Sequence, residues 1–166
     1  LVFLLFGTNL FYYSLWQPTM SPLYSFFAVN GFVLSLLRGL RKWDLRQSLI
    51  TGFFLAVLLL IRPTHLLLLL LVPFLAGTPG QFVDFMKTLK QEKRATLAGF
   101  LLLLMLTAIQ PLLWYLQTGH FFIWPYRNEG FRFGQPEIIN MLFSYRKGLF
   151  VYTPIILLTW ICALGL

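Results

Sequence analysis

The sequence has few charged residues, few acids and one cysteine, and each shortage excludes a class of protein. Only 11% of the 166 residues are charged, and Asp and Glu together number 5. A soluble domain of this length could not hide so much apolar surface from water. Because Cys162 is the single cysteine, no internal disulfide can form.

Motifs for nucleotide, nucleophilic or metal chemistry are also missing. The sequence contains no Walker A loop, no GxGxxG fingerprint and no nucleophile elbow. Its two histidines, His65 and His120, lie in no Cys/His/Asp cluster with metal-ligand spacing. The sequence therefore predicts no metal site and no cofactor, while a requirement for a divalent cation stays open.

Apolar residues are abundant and make up 58% of the chain. They form long stretches without the alternation of a strand: 1–16, 22–40, 47–61, 66–76, 95–117 and 149–166. Each is near or below the roughly 20 residues that cross a bilayer as a helix. Backbone polar groups in lipid must be satisfied within the segment, so such runs indicate helices. We expect an all-α, polytopic transmembrane helical bundle of about six spans.

The chain begins and ends inside apolar stretches, so we expect residues 1–166 to be a single transmembrane region, a fragment of a larger membrane protein.

The stretch "LLLIRPTHLLLLLLV" (58–72) places Arg62 and Pro63 between two leucine runs. A single helix over 49–76 would be about 42 Å long, too long for a hydrocarbon core of about 30 Å without steep tilt. It would also hold Arg62 at the bilayer midplane, at a cost of roughly 2.5–3.5 kcal/mol. Pro63 would break that helix by removing a backbone donor. We therefore predict two short helices that meet at residues 62–65, with their junction below the outer surface.

Two basic segments, "RGLRKWDLR" (38–46) and "TPGQFVDFMKTLKQEKR" (78–94), are predicted to lie on the cytoplasmic face. Thr78, Pro79 and Gln81 have capping-box spacing, and Phe82, Phe85, Met86 and Leu89 share one helical stripe. Segment 78–94 is thus predicted to be an amphipathic helix on anionic lipid. The favoured alternative is a basic anchor without chemistry. Nucleic-acid binding explains the net charge of +8 poorly, because the cations are distributed among membrane loops.

On the opposite face, cations precede helix starts. Arg62 stands before one predicted helix, and Arg146 and Lys147 stand before the last. Helix N-termini carry partial positive charge and disfavour such neighbours. An anion bound jointly by helix amides and guanidinium groups would resolve this conflict, and phosphate matches arginine geometry well. The alternative is that these cations reach lipid headgroups or pair with Glu129 or Glu137.

The external loop, predicted over 118–148, is rich in aromatic residues that favour the membrane interface. A minority of them could stack on a sugar or an isoprenoid. Its segment "PEIINMLF" (136–143) is predicted to form a short helix. Glu129 could act as a base or hold a hydroxyl group, although a salt bridge is the favoured role. His65 is expected to hydrogen-bond a helix end rather than to catalyse.

Three segments resemble bacterial membrane glycosyltransferases of the C-type (GT-C) superfamily, related to protein O-mannosyltransferases and lipid A aminoarabinose transferases. They are "GTNLFYYSLWQPTMSPLYSFF" (7–27), "LIRPTHLLL" (60–68) and "LFSYRKGLFVYTPIILL" (142–158). The resemblance implies a multi-pass enzyme of the inner membrane. Such an enzyme transfers a sugar from a polyprenyl-phosphate donor to a saccharide, lipid or protein acceptor on the periplasmic face. The family's catalytic acid lies in the first external loop, which is not recognisable here, so the catalytic residue is unknown and expected outside this chain.

Carried over to this sequence, the resemblance implies that Arg62 contacts the donor phosphate and that Arg146 and Lys147 flank it. Ser144, Tyr145 and Tyr152 would shape the sugar pocket, and His65 and Glu129 are further candidates for it. Two other functions fit the same residues. One is a flippase or transporter of lipid-linked saccharides, and the other is a non-catalytic membrane subunit whose cations serve topology alone.

Overall fold

A computed structural model describes residues 14–16, 19–123, 134, 137–145 and 148–165. The ordered elements within these ranges are all helical, which confirms the all-α class. They are α1 (Ser21–Arg41), α2 (Leu45–Ile61), a 3-10 helix (Pro63–Leu71), α3 (Val72–Ala76), α4 (Pro79–Gln91), α5 (Lys93–Thr118), α6 (Ile138–Phe143), α7 (Leu149–Tyr152) and α8 (Pro154–Leu164). The chain divides into a central unit, 24–123, and a terminal unit, 1–23 with 124–166.

Helices α1 and α2 form an antiparallel pair at the start of the central unit. The loop 42–44 between them is short, and Asp44 caps the start of α2, accepting a hydrogen bond from the Gln47 amide at 2.8 Å. Near the other end of the pair, the Phe27 and Phe54 rings meet edge to face with centroids 6.1 Å apart. Gly31 has no Cβ, and this leaves room for the Phe54 ring.

Helices α2 and α5 approach so closely that backbone meets backbone. A Cβ on Gly52 would collide with the carbonyl oxygen of Gly99, and a Cβ on Gly99 would collide with Ser48. Ser48 and Gly52 are four residues apart on α2, and buried Ala95 and Gly99 have the same spacing on α5. Small residues at this spacing are typical of helix pairs in membranes, where dispersion contacts between close backbones replace the hydrophobic effect.

Trp43 joins three elements at one end of the central unit. Its indole Nε1–H donates to the Thr96 hydroxyl at 3.0 Å, and its ring packs edge to face on Phe85 of α4, with centroids 5.4 Å apart. The loop before α2, the helix α4 and the start of α5 therefore lie together. Since α2 and α5 both start there, the two helices run parallel.

The core of the central unit lies between α1, α2, α3 and α4. Phe32 and Leu58 are its two largest fully buried side chains. The cluster also contains Ala28, Leu36, Val72 and Phe85. Within α4, the predicted capping box is confirmed: the Thr78 hydroxyl accepts from the Gln81 amide and the Gln81 side chain accepts from the Thr78 amide. The predicted apolar stripe of α4 packs against this core, so protein rather than lipid receives it.

The described residues contain two helices long and apolar enough to cross a membrane, α1 and α5. A third is obtained if the segment Pro63–Ala76 and α4, bent by 119°, are taken together. These helices indicate a membrane protein, but they are fewer than the about six spans predicted. Several apolar stretches that the composition alone would make into one helix are broken into shorter helices in the structure. In the last stretch, Thr153 leaves the helical conformation before Pro154, and α8 then has 11 residues, about 16 Å.

Candidate functional site

Arg62 lies at the predicted break. Helix α2 ends at Ile61, and Arg62 is extended, with φ −153° and ψ 123°. The next residue, Pro63, disfavours the helical conformation at Arg62 and supplies no amide donor. The Arg62 amide still donates to the Leu58 carbonyl at 3.0 Å, and its own carbonyl accepts from the His65 amide at 3.0 Å. The side chain of Arg62 is exposed, and its backbone is held on both sides.

The electrostatic argument for an anion at Arg62 needs a correction. Arg62 precedes the 3-10 helix, as predicted, but it is also the residue that caps the C-terminus of α2. The carbonyl end of a helix stabilises a cation. The carbonyl end of α2 and the N-terminus of the 3-10 helix act on Arg62 with opposite signs, so the first offsets the second. Arg62 therefore stands between two opposed helix ends, and the dipoles alone do not require an anion there.

His65 is fixed on the end of α2. Its Nδ1 lies 3.0 Å from the Leu58 carbonyl oxygen, which also accepts from the Arg62 amide. This confirms the prediction that His65 hydrogen-bonds a helix end. A carbonyl oxygen only accepts, so this contact is a hydrogen bond in the tautomer with the proton on Nδ1, in which Nε2 is the acceptor. The half-buried imidazole thus offers a positioned Nε2 three residues from Arg62. Thr64, between Pro63 and His65, lies inside the 3-10 helix.

The length of α2 and its contact with α5 give the position of Arg62 along the axis of the central unit. Helix α2 rises about 25 Å over its length, so Arg62 lies that far from the end that carries Trp43. Ser48 and Gly52 on α2 both face Gly99 on α5, so this contact aligns the two parallel helices. Counting residues from it along each helix, Arg62 lies about 5 Å, roughly one helical turn, nearer to the Trp43 end than Trp114 does. If α2 stood upright in a bilayer, its length would nearly cross a hydrocarbon core of about 30 Å. The position of Arg62 just inside one membrane surface stays a prediction.

Aromatic side chains cluster at the C-terminus of α5. Gly119 ends the helix in the left-handed conformation, with φ 73°, and the chain turns back. The Tyr115 and Phe121 rings stack at 4.3 Å, and Trp114 meets Phe122 edge to face at 6.0 Å. Phe121 and Phe122 belong to the aromatic residues of the external loop, several of which are predicted to lie at the membrane interface. Their partners on α5 were missed, although two adjacent aromatic residues in the last turn of an apolar helix are a recognisable interface signal.

The other predicted site residues belong to the terminal unit or lie outside the described residues. Ser144 caps the C-terminus of α6, its amide donating to Asn140 at 3.0 Å, and its carbonyl accepts from the Gly148 amide at 2.7 Å. Tyr145 is 88% exposed. Glu129, Arg146 and Lys147 lie outside the described residues, as does the side chain of Tyr152. A common site of Arg62 and His65 with these residues stays a prediction.

The short helix predicted over 136–143 is observed as α6, Ile138–Phe143. Glu137 precedes it, and its carboxylate accepts from the Asn140 side chain at 3.0 Å. In the part of the chain that the structure describes, no group of three or more His, Cys, Asp or Glu residues is placed to hold a metal ion.

Comparison of the chain with protein-family models, curated proteins and solved structures gives no match.

Proposed function

We propose that this chain is the membrane region of a C-type glycosyltransferase of the inner membrane. It transfers a sugar from a polyprenyl-phosphate donor to a saccharide, lipid or protein acceptor on the outer face. The resemblance of three segments to that superfamily supports the proposal. The structural observation that carries it is the position of Arg62: exposed, in a helix break, and about 25 Å along α2 from the end of the central unit that carries the basic loops.

A polyprenyl-phosphate donor suits this position. Its prenyl chain lies in hydrocarbon, and its phosphate lies at the boundary, where Arg62 is located. A guanidinium group can bind phosphate with two parallel hydrogen bonds, while its aliphatic stem stays in apolar surroundings. His65, with Nδ1 held by the Leu58 carbonyl, lies three residues from Arg62 at the same break and is the second candidate contact.

Sugar transfer releases the lipid phosphate as an anion, and nearby cations stabilise the charge that develops in the transition state. In the proposal, Arg62 supplies this stabilisation, and Arg146 and Lys147 add to it. Ser144, Tyr145, Tyr152 and Glu129 contribute to the sugar pocket. The acceptor hydroxyl needs a carboxylate base, which lies outside these residues.

The proposal retains a multi-pass protein with about six crossings. Helix α2 has 17 residues and is about 25 Å long, slightly less than the hydrocarbon core. Short helices are accommodated by local thinning of the bilayer or by placing their ends in a cavity with protein walls.

The first experiment tests lipid-phosphate binding with the full-length protein in nanodiscs and polyprenyl monophosphate as the probe. Arg62→Ala is expected to weaken binding roughly 10- to 150-fold, because a hydrogen-bonded charged group contributes about 1.5–3 kcal/mol. Arg62→Lys is expected to recover only part of that loss, since lysine keeps the charge but lacks the planar fork. Arg38→Ala, a cation at the opposite end of the central unit, is the matched control and should bind as the wild type does. Unchanged binding by Arg62→Ala would refute the assigned role.

A second experiment separates an enzyme from a flippase. Sugar transfer is measured with the full-length protein and a polyprenyl-phosphate sugar in detergent, where no transport between leaflets can occur. An enzyme forms glycosylated product, and Arg62→Ala lowers that rate. Retained lipid-phosphate binding with no product from any acceptor class would favour the flippase, and the proposal of an enzyme would then fail.

A further inference from the structure

The end of the central unit that carries Trp43 is strongly basic. It brings together the end of α1, the start of α2, and the junction of α4 with α5. The cations there are Arg38, Arg41, Lys42, Arg46, Lys87, Lys90, Lys93 and Arg94. The acids are Asp44, Asp84 and Glu92. Asp44 caps α2, and Asp84 pairs with Lys87 at 3.0 Å. The cations outnumber the acids, so this end carries an excess of positive charge.

An open apolar groove of about 340 Å³ runs along the junction of α4 and α5 at this end. Its lining residues are Leu89, Lys93, Thr96, Leu97 and Phe100. Lys93 is the first residue of α5 and the only charged lining residue. Leu97 and Phe100 follow Lys93 on the same helix and therefore lie further from the basic end. The volume is at the lower end of the roughly 300–1,000 Å³ of small-molecule pockets, which suits part of a chain molecule rather than a whole lipid.

The one hydroxyl in the groove is already engaged. Thr96 Oγ1 donates to the Leu89 carbonyl at 3.0 Å and accepts from Trp43 Nε1 at 3.0 Å. A sugar or another hydroxyl-rich ligand would therefore find few hydrogen-bonding partners on the walls. The groove offers one cation at its end and apolar walls beyond it.

We propose that this groove binds an anionic phospholipid of the leaflet that faces the basic end. The phosphate lies at Lys93, and an acyl chain follows Leu97 and Phe100. Among the described residues, α5 is one of the two helices long and apolar enough to cross a membrane, and Lys93 begins it. In a bilayer, its ammonium group would therefore lie at the level of the headgroups. Basic residues next to a membrane helix attract anionic lipids, each contributing about fivefold to affinity near the surface. The site is independent of the sugar-transfer reaction, because it lies at the end of the bundle opposite Arg62.

The experiment counts lipids retained by the full-length protein in native mass spectrometry. Detergent-purified protein is incubated with dioleoyl phosphatidylglycerol or with dioleoyl phosphatidylcholine. The wild type is expected to retain the first in preference to the second. Lys93→Gln is expected to lower phosphatidylglycerol retention about fivefold. Lys87→Gln is the matched control and should change it less than twofold, because Lys87 is paired with Asp84 and lies outside the groove.

A second pair of variants tests the acyl chain. Leu97→Gln places a polar group in the groove, while Leu101→Gln places one a turn further along α5, on a comparably exposed leucine that does not line it. Only the first should lower retention, and dihexanoyl phosphatidylglycerol should be retained less than the dioleoyl lipid. If Lys93→Gln and Lys87→Gln lowered phosphatidylglycerol retention equally, the lipid would be attracted by the overall positive charge of this end rather than by a defined site. Equal losses from the two leucine variants, or equal retention of phosphatidylcholine, would also overturn the proposal.

Discussion

Replacing Gly52 by valine tests whether the contact between α2 and α5 holds the central unit together. A Cβ at position 52 would lie 3.0 Å from the carbonyl carbon of Gly99 and 3.3 Å from its Cα, and closer still to its oxygen. These are backbone atoms of a helix, so no side-chain rotation can relieve the collision. The two helices would have to separate by about 1 Å, and the neighbouring contacts of Ser48 and Ala95 would loosen with them.

The expected cost follows from overpacking. Forcing extra atoms into a close-packed contact costs about 1–3 kcal/mol, and the backbone partner places Gly52→Val near the upper end. The opposite substitution, Gly99→Ala, meets the hydroxyl and carbonyl of Ser48, so it should also destabilise. Gly80→Ala is the control: nothing lies within 4 Å of a Cβ there, and it stands in the first turn of α4. That substitution should leave stability unchanged or raise it by about 0.4–1 kcal/mol.

The assay is unfolding of the full-length protein in mixed micelles, titrated with sodium dodecyl sulfate and followed by circular dichroism. Free energies of unfolding are compared between wild type, Gly52→Val, Gly99→Ala and Gly80→Ala. If Gly52→Val unfolds within about 0.5 kcal/mol of the wild type, a range usual for surface changes, the close packing of α2 on α5 is refuted.

Two further predictions use the same titration. Asp44→Ala removes the side-chain cap of α2 and should cost about 1 kcal/mol, whereas Asp84→Ala breaks an exposed ion pair and should cost no more than about 0.5 kcal/mol; equal costs would contradict the capping role. Trp43→Phe keeps a ring against Phe85 but removes the hydrogen bond to Thr96, so it should cost about 1 kcal/mol. Thr96→Val removes the same bond and also the bond from Thr96 to the Leu89 carbonyl, so the double variant should lose less than the sum of the two single variants. Additive losses would show that the two side chains act separately.

Local chemistry made some features predictable from the sequence. Pro63 has no amide hydrogen and restricts the residue before it, so the break at Arg62 needed no knowledge of the tertiary structure. The capping box of Thr78 and Gln81 is equally local. The hydrogen bond of His65 to the end of α2 was also foreseeable, because a ring just after a helix break lies within reach of the carbonyl groups of the last helical turn.

Features that depend on distant residues were not predicted. Nothing in "PTHLLLLLL" distinguishes a 3-10 helix from an α-helix, since leucine favours helical conformations in general. The amphipathic stripe of α4 has the same pattern whether it covers lipid or protein, and only the tertiary structure, with Phe85 in the core and against Trp43, shows that it covers protein. The contact of α2 with α5 did leave a signal, the four-residue spacing of Ser48 and Gly52 and of Ala95 and Gly99. That signal identifies surfaces suited to close approach but not which helices meet.

The case of Arg62 shows why charges at helix junctions are hard to interpret from the sequence. A cation between two helices interacts with the C-terminus of the first and the N-terminus of the second, and the two interactions have opposite signs. The helix that follows Arg62, considered alone, predicts an unfavourable contact between a cation and a helix N-terminus. In the structure, the carbonyl end of α2 also lies at Arg62, whose amide is hydrogen-bonded to it. Since any cation would satisfy that carbonyl end, stability alone does not require arginine. A preference for arginine over lysine at position 62 in lipid-phosphate binding, without a matching difference in the free energy of unfolding, would therefore point to a bidentate anion as the reason for its presence.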